Sequence, residues 1–184
     1  TLQRGTAKCS WFWHGDPLTP GVAATPDAER IDAKSAPTLP RIPVVVISAN
    51  EAAALKSAMK GSGPGPATVR IAVDMDQRLR PIDNVVASLK GRDQPDRRVM
   101  LGTHHDAWTF GATDPGSAVA VLVEVARGLA ALARSGWKSA RTIVFCFWDA
   151  EEFGLVGSTE YAEDRARELR EKAVAYINTD MYMA

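Results

Sequence analysis

The segment V-F-C-F-W-D-A-E-E-F-G at residues 144–154 constrains the fold more than any other part of the chain. Its apolar run ends at Trp148, and three acidic residues follow: Asp149, Glu151 and Glu152. Such a run is typical of a strand buried on both faces of an α/β sheet. Because open α/β sheets bind ligands at the carboxyl ends of their strands, the segment predicts carboxylates at a ligand-binding edge. Taken alone, it is equally compatible with a strand followed by a solvated acidic turn.

Two further apolar segments end next to residues that bind metals. Residues 99–103 are followed by His104, and Asp114 stands a short way further on in the turn G-A-T-D-P-G-S. Residues 173–178 are followed closely by Asp180. Histidine and carboxylates are the ligand types of zinc. One such strand end is ordinary, but three in series predict a metal site.

Strand and helix patterns alternate along the chain. The expected strands are 41–48, 67–74, 85–89, 99–103, 141–148 and 173–178, with a loop at 91–98. The expected helices are 51–60 with Asn50 as N-cap, 117–135, and 158–172 with Ser158 or Thr159 as N-cap. This order predicts an α/β fold with a mixed, largely parallel sheet and helices on both faces. The breaker run G-S-G-P-G-P at 61–66 marks the expected boundary between two domains, residues 1–64 and 65–184.

Composition excludes some classes of function. The 22 basic and 22 acidic residues balance, so no strong field favours nucleic acid or an anionic membrane. No apolar run approaches the ~18 residues of a membrane span. Two cysteines, Cys9 and Cys146, do not make a disulfide framework, and the compartment cannot be read from composition. Because the chain lacks an initiator Met and stops just after a strand, we expect it to be a segment of a longer protein.

A pair of metals that share one water needs a bridging carboxylate, terminal ligands and a nearby base. His104 is a terminal ligand by type. Asp106 is placed to orient the imidazole of His104 without binding the metal itself. Asp114 suits the bridge because it lies in a rigid turn, and its bond to Pro115 is compatible with a cis peptide.

Glu151 and Glu152 point in different directions because they are adjacent. One therefore serves as a ligand and the other as a general base. We assign Glu152 as the ligand and Glu151 as the base that moves a proton from water to the leaving amine.

Three segments carry a family resemblance: G-T-H-H-D-A-W-T-F-G-A-T-D-P-G-S-A (102–118), W-D-A-E-E-F-G-L-V-G-S-T-E-Y-A-E (148–163) and A-Y-I-N-T-D (175–180). They resemble the co-catalytic zinc peptidases of the glutamate carboxypeptidase II type, to which the non-enzymatic transferrin receptor is related. Upstream, Q-R-G (3–5), G-D-P-L-T-P-G (15–21) and L-P-R-I-P-V (39–44) resemble the β-rich protease-associated domain of that family. The resemblance thus implies the C-terminal part of that domain followed by the first part of a peptidase domain.

The resemblance implies two zinc ions in the full-length site. By position, His104 and Asp180 bind one zinc, Glu152 binds the other, Asp114 bridges them, and Glu151 is the base. The family's second zinc histidine, and most residues that bind the substrate's carboxylates, lie outside this chain. We therefore expect the segment alone to be inactive.

The resemblance also implies a calcium site and one substrate contact. Glu160 and Glu163 lie one helical turn apart and would bind calcium together with the backbone carbonyls of Thr19 and Val22. Thr6 stands near the family's substrate pocket where the glutamate carboxypeptidase has Asn, which leaves the preference for glutamate open.

The resemblance predicts a dizinc exopeptidase that cleaves small peptides with a zinc-bound hydroxide. Three alternatives stay open: a dizinc aminopeptidase, an amidohydrolase of non-peptide substrates, and a non-catalytic module like the transferrin receptor. The longer protein would be a homodimer, joined by a helical domain that this segment lacks. It would be either membrane-anchored with an extracellular catalytic part or secreted. We expect no nucleic-acid partner.

Overall fold

The structure is a computed structural model that describes residues 13–61, 68–74, 76 and 78–182. Its elements in chain order are α1 (Ala49–Gly61), β1 (Val85–Leu89), β2 (Gln94–His104), α2 (Gly116–Arg134), β3 (Arg141–Trp148), α3 (Val156–Asp164), α4 (Ala166–Lys172) and β4 (Ala173–Asn178). The helices and strands alternate from β2 onward, as the sequence pattern predicted.

The strands form one four-stranded sheet in the order β1-β3-β2-β4. β2 runs parallel to both β3 and β4, and β1 runs antiparallel to β3. This confirms the mixed, largely parallel sheet. The register pairs His104 with Trp148, so β2 and β3 end at the same level of the sheet.

Helices cover both faces of the sheet. The crossover from β2 to β3 and the one from β3 to β4 run in opposite directions along the sheet. Because such crossovers are right-handed, their helices lie on opposite faces. α2 contacts β2 and β3 and buries Ala118 and Leu122. On the face of α3 and α4, Tyr161 and Leu169 pack against a buried cluster: Met100, Val144, Cys146 and Trp148.

A chain of side-chain hydrogen bonds joins β3 to β4 on this second face. The indole N–H of Trp148 donates to the Tyr176 hydroxyl at 2.7 Å, and that hydroxyl donates to the Asn178 side chain at 2.7 Å. Gly102 of β2 lies directly beneath this hydroxyl, and a Cβ there would overlap it. Glycine is therefore required at this position by the close approach of Tyr176.

Two predicted strands are wrong. Residues 41–47 and 68–74 have no strand structure, and the apolar side chains among them are exposed. A strand persists only where a neighbour completes its hydrogen-bond ladder, and neither segment pairs with any described residue. The division into two domains and the identity of residues 1–64 stay predictions.

Several element boundaries also differ from the sequence pattern. β2 begins at Gln94, so the predicted loop at 91–98 is shorter. Ser48, not Asn50, caps α1: Ser48 and Glu51 exchange hydrogen bonds as a capping box. The predicted helix 158–172 is two helices separated at Arg165, and neither has a side-chain N-cap.

α2 is long and apolar enough to cross a membrane, which the sequence analysis did not expect. This statement rests only on the length and the amino-acid composition of α2. In the structure it lies against β2 and β3, as a sheet-covering helix does.

Candidate metal centre

Three predicted ligands converge at the carboxyl edge of the sheet. Nε2 of His104 lies 3.0 Å from Oδ1 of Asp114 and 3.0 Å from Oδ1 of Asp180. The candidate ligand atoms of all three residues lie within 4.8 Å of one another. His104 is buried, whereas Asp180 is exposed. The structure therefore joins residues from three separate parts of the chain around one point.

The fold explains why these residues meet. His104 ends β2, whose following loop leads to α2 on one face, while the loop after the neighbouring β3 leads to α3 on the other. Adjacent strands whose connections diverge in this way leave a crevice at their carboxyl ends. Asp180 is brought to the same edge because Thr179 extends β4, donating its N–H to the Gly102 carbonyl at 2.8 Å.

Asp114 reaches the site from the turn before α2. Its peptide bond to Pro115 is cis, as the sequence analysis allowed. The turn is closed by the N–H of Gly116, which donates to the Gly111 carbonyl at 2.7 Å. Gly111 has a φ of 62°, a left-handed conformation that favours glycine.

The donor atoms of this cluster fit a divalent metal. Nε2 of His104 and Oδ1 of Asp114 are both buried and make no hydrogen bond, although they are close together. Leaving buried polar atoms unpaired costs about 1–3 kcal/mol each. A metal ligated by the imidazole and the carboxylates removes that cost, and this donor set is one that zinc accepts.

Asp106 contacts the imidazole of His104 and also holds the acidic residues that follow β3. The main-chain carbonyl of Asp106, at 3.1 Å, is the hydrogen-bond partner of Nδ1 of His104, and its carboxylate lies 3.5 Å from that atom. The carboxylate also accepts the main-chain N–H groups of Glu151 at 2.9 Å and Glu152 at 3.2 Å. Asp106 thus orients the imidazole through its backbone and fixes the acidic loop through its side chain.

Glu151 and Glu152 lie at the same edge but outside the three-residue group. Burial raises the pKa of Glu151, and its Oε2 lies 4.0 Å from Nδ1 of His104. Burial also raises the pKa of Glu152, and the charge of Asp114 adds to this effect. Burial lowers the pKa of His104, but the surrounding carboxylates, Glu151 first, outweigh it and leave that pKa raised. The site is therefore a concentration of negative charge that a cation stabilises.

The sequence analysis missed the residues that hold the acidic loop (residues 149–155). The side chain of Asn84, just before β1, bonds to the main chain of Asp149 and of Gly157. Ala150 and Leu155 in this loop have positive φ values of 53° and 58°. A single Asn ahead of a strand carries no sequence signal for such a role.

Residues 16–24 pack against the predicted calcium ligands of α3. Oε1 of Glu160 accepts the N–H of Asp16, and Oε2 accepts the N–H of Ala24, each at 2.6 Å. Both carboxylate oxygens of Glu163 are buried, and they face the Trp13 side chain and the Gly21 main chain. Burial first, and then the charge of Glu160, raise the pKa of Glu163.

Thr19 also lies buried in this region, and its hydroxyl has no hydrogen-bond partner. Its main-chain carbonyl accepts the N–H of Val22 at 3.0 Å. Ligation of calcium by the Thr19 and Val22 carbonyls stays a prediction. Thr6 lies outside the described residues.

Comparison with known proteins identifies relatives of this chain. The sequence profile of Peptidase family M28 matches residues 84–184, which include every candidate zinc ligand and the candidate base. A protein of Zea mays named "Probable glutamate carboxypeptidase VP8" is 43% identical over 90% of this chain and 26% of its own length. The mouse "Aminopeptidase NAALADL1" is 37% identical over 96% of this chain and 27% of its own length. The chain thus spans about a quarter of the length of these relatives.

A crystal structure of a Peptidase M28 precursor from Shewanella amazonensis SB2B is also similar. It is 35% identical, with a TM-score of 0.46, and the match covers 53% of this chain and 21% of that one.

Proposed function

Since this chain belongs to Peptidase family M28, we propose that it contributes the larger part of a dizinc centre to an exopeptidase that cleaves small peptides. The proposal extends to the longer protein, because the chain spans about a quarter of the length of its relatives. The relatives bear the names of both glutamate carboxypeptidases and an aminopeptidase, so either end of a peptide is a candidate for cleavage.

One observation carries the proposal. Nε2 of His104 lies 3.0 Å from Oδ1 of Asp114 and 3.0 Å from Oδ1 of Asp180, and the first two of these atoms are buried without making a hydrogen bond. Buried polar atoms are otherwise almost always hydrogen-bonded, so unpaired ones at a sheet edge support a ligand that the protein atoms themselves do not supply. His104 and Asp180 would hold one zinc, Glu152 the other, and Asp114 both.

Zinc, when bound, polarises the scissile carbonyl and makes water a nucleophile near neutral pH. Glu151 accepts the proton from that water and passes it to the leaving amine. Asp106 fixes the backbone of Glu151 and so keeps the base at a constant distance from the centre.

A calcium ion at Glu160 and Glu163 is the second cofactor that we propose. Its role would be structural, because the Glu160 carboxylate already joins α3 to residues 16–24, the segment that contains Thr19. The burial of the Glu163 carboxylate next to the charge of Glu160 supports this site. We also propose that the longer protein is a homodimer.

The experiment that tests the zinc centre is a metal titration of the chain. The chain is stripped with a chelator and titrated with zinc against a chromophoric competitor, with His104→Ala beside the matched control His105→Ala. His105 is exposed, and its ring nitrogen contacts the main-chain carbonyl of Asp83 at 3.0 Å. We expect zinc binding by the wild-type chain and the His105 variant, and a loss of about 100-fold or more in affinity for His104→Ala.

A wild-type chain that binds no zinc would favour the receptor-like alternative. The amidohydrolase alternative would be favoured by a different result. In that case the chain binds zinc, but the longer protein hydrolyses non-peptide amides and no dipeptides.

A further inference from the structure

The acidic loop is closed at its base by one side chain from another part of the chain. Oδ1 of Asn84 accepts the N–H of Asp149 at 3.0 Å, and its Nδ2 donates to the carbonyl of Gly157 at 2.8 Å. Asp149 follows the last residue of β3, and Gly157 lies in the first turn of α3. Both ends of the loop are therefore bonded to the same amide group.

The geometry uses both functions of that amide. The atom facing Asp149 must accept a hydrogen bond, and the atom facing Gly157 must donate one, so the side-chain orientation is set by its partners. Asp at position 84 offers only the acceptor of this pair. Gly157 is buried, and a Cβ on it would overlap Oδ1 of Asn84 and the Asp149 carbonyl. The junction is thus closely packed as well as hydrogen-bonded.

Further hydrogen bonds pass from this junction into the loop. The N–H of Gly157 donates to the Asp149 carbonyl at 3.0 Å, and the Asp149 carboxylate accepts the N–H groups of Ala150 at 2.8 Å and Asp83 at 2.9 Å. Ala150 holds a left-handed conformation that is unfavourable for a residue with a Cβ. Such a conformation persists only where the surroundings enforce it, and the Asn84 junction is adjacent to it.

We infer that Asn84 is a positioning residue, which sets the place of Glu151 and Glu152 at the metal centre by holding together the two ends of the acidic loop. It contacts neither the base nor any metal ligand, and it acts through Asp149 and Gly157. Asp106 holds the middle of the loop and Asn84 holds its base. The positions of the Glu151 and Glu152 carboxylates are therefore fixed by two separate contacts. The functional part of this inference rests on the proposed peptidase function.

Hydrogen exchange of the metal-free chain tests the positioning role without requiring zinc or activity. Asn84→Ala should speed exchange in residues 149–157 by about 10-fold or more, because two hydrogen bonds are lost, while β1 stays protected. Asn84→Asp retains the acceptor for Asp149 and should give a smaller increase. Asn50→Ala, an exposed Asn in α1, is the matched control and should leave exchange of the loop unchanged.

Unchanged exchange in the loop of a folded Asn84→Ala chain would overturn the inference, and so would an increase spread equally over β1. If Asn84→Ala does not fold, loop exchange in Asn84→Asp is the deciding measurement. Failure of both variants to fold would show that Asn84 supports the whole sheet, and this result would also overturn the inference.

In the longer protein, Asn84→Ala should lower kcat at unchanged KM and should also weaken zinc binding, because it displaces the base Glu151 and the ligand Glu152 and not the substrate site. A wild-type chain that binds no zinc would overturn the peptidase proposal but not the result on the loop.

Discussion

The carboxylate of Asp106 accepts a hydrogen bond from the main-chain N–H of Glu151 at 2.9 Å. The backbone of Glu151 is therefore fixed, while its side chain makes no hydrogen bond with any of the described residues. A carboxylate held in this way beside the candidate metal centre is free to exchange protons with a water or a leaving group. This division between a fixed backbone and a free side chain is what a general base requires.

Replacing Glu151 by Gln in the longer protein separates a base from a ligand. We expect zinc content to stay at the wild-type level and kcat to fall by about 100-fold or more, because the amide cannot accept the proton. Glu171→Gln, at an exposed position on α4, should leave both unchanged. Measurement of bound zinc together with steady-state kinetics decides the matter, and loss of metal in Glu151→Gln would show instead that Glu151 is a ligand.

The sequence predicted the strands that carry the site because tertiary structure and local pattern agree there. β3 (Arg141–Trp148) and β4 (Ala173–Asn178) have the predicted bounds, since their apolar runs are flanked by clear breaks. Residues 41–47 have an equally apolar pattern but no partner strand among the described residues. Pairing depends on what lies beside a segment, which a local pattern does not contain.

The convergence of His104, Asp114 and Asp180 was predictable because each follows or lies near a strand end, and parallel strands end together. The role of Asn84 was not predictable in this way. It depends on a contact between the start of β1 and the first turn of α3, which only the folded chain brings together. The same holds for the second role of Asp106, whose carboxylate lies beside the imidazole as expected and also accepts two loop N–H groups.

Gly157→Ala should destabilise the chain by about 1–3 kcal/mol, because the added methyl group overlaps the Asp149 carbonyl and the Asn84 side chain. Gly128→Ala in α2 is a matched control with the opposite sign. A Cβ at Gly128 meets nothing within 4 Å, so the better helix propensity of Ala should stabilise the chain by about 1 kcal/mol. Urea unfolding of the two variants measures both effects, and equal stability for the two would refute the close packing at Gly157.

Calcium should raise the melting temperature of the chain through Glu163. A ligand present at 100 times its Kd stabilises the folded state by about 2.7 kcal/mol, and Glu163→Gln should remove that increase because the buried carboxylate becomes neutral. Glu124→Gln, an exposed Glu on α2, should respond to calcium as the wild type does. Thermal melts with and without calcium provide the measurement, and a wild-type melt that is insensitive to calcium would exclude the site.

The ion pair between Arg98 and Glu168 should make stability depend on pH. The guanidinium of Arg98 lies 2.6 Å from the Glu168 carboxylate, and it holds the pKa of that carboxyl below its ordinary value of 4.5. A lowered folded-state pKa contributes stability that is fully present above 4.5 and is lost as the pH falls through the folded value. The melting temperature of Glu168→Gln should therefore lie below that of the wild type at neutral pH, and the gap should close as the pH falls below the lowered pKa of Glu168. Glu171→Gln removes a pair with the highly exposed Arg167 and should show a smaller gap at neutral pH. A gap for Glu168→Gln that stayed constant with pH would mean that packing of the side chain, and not its charge, joins α4 to β2.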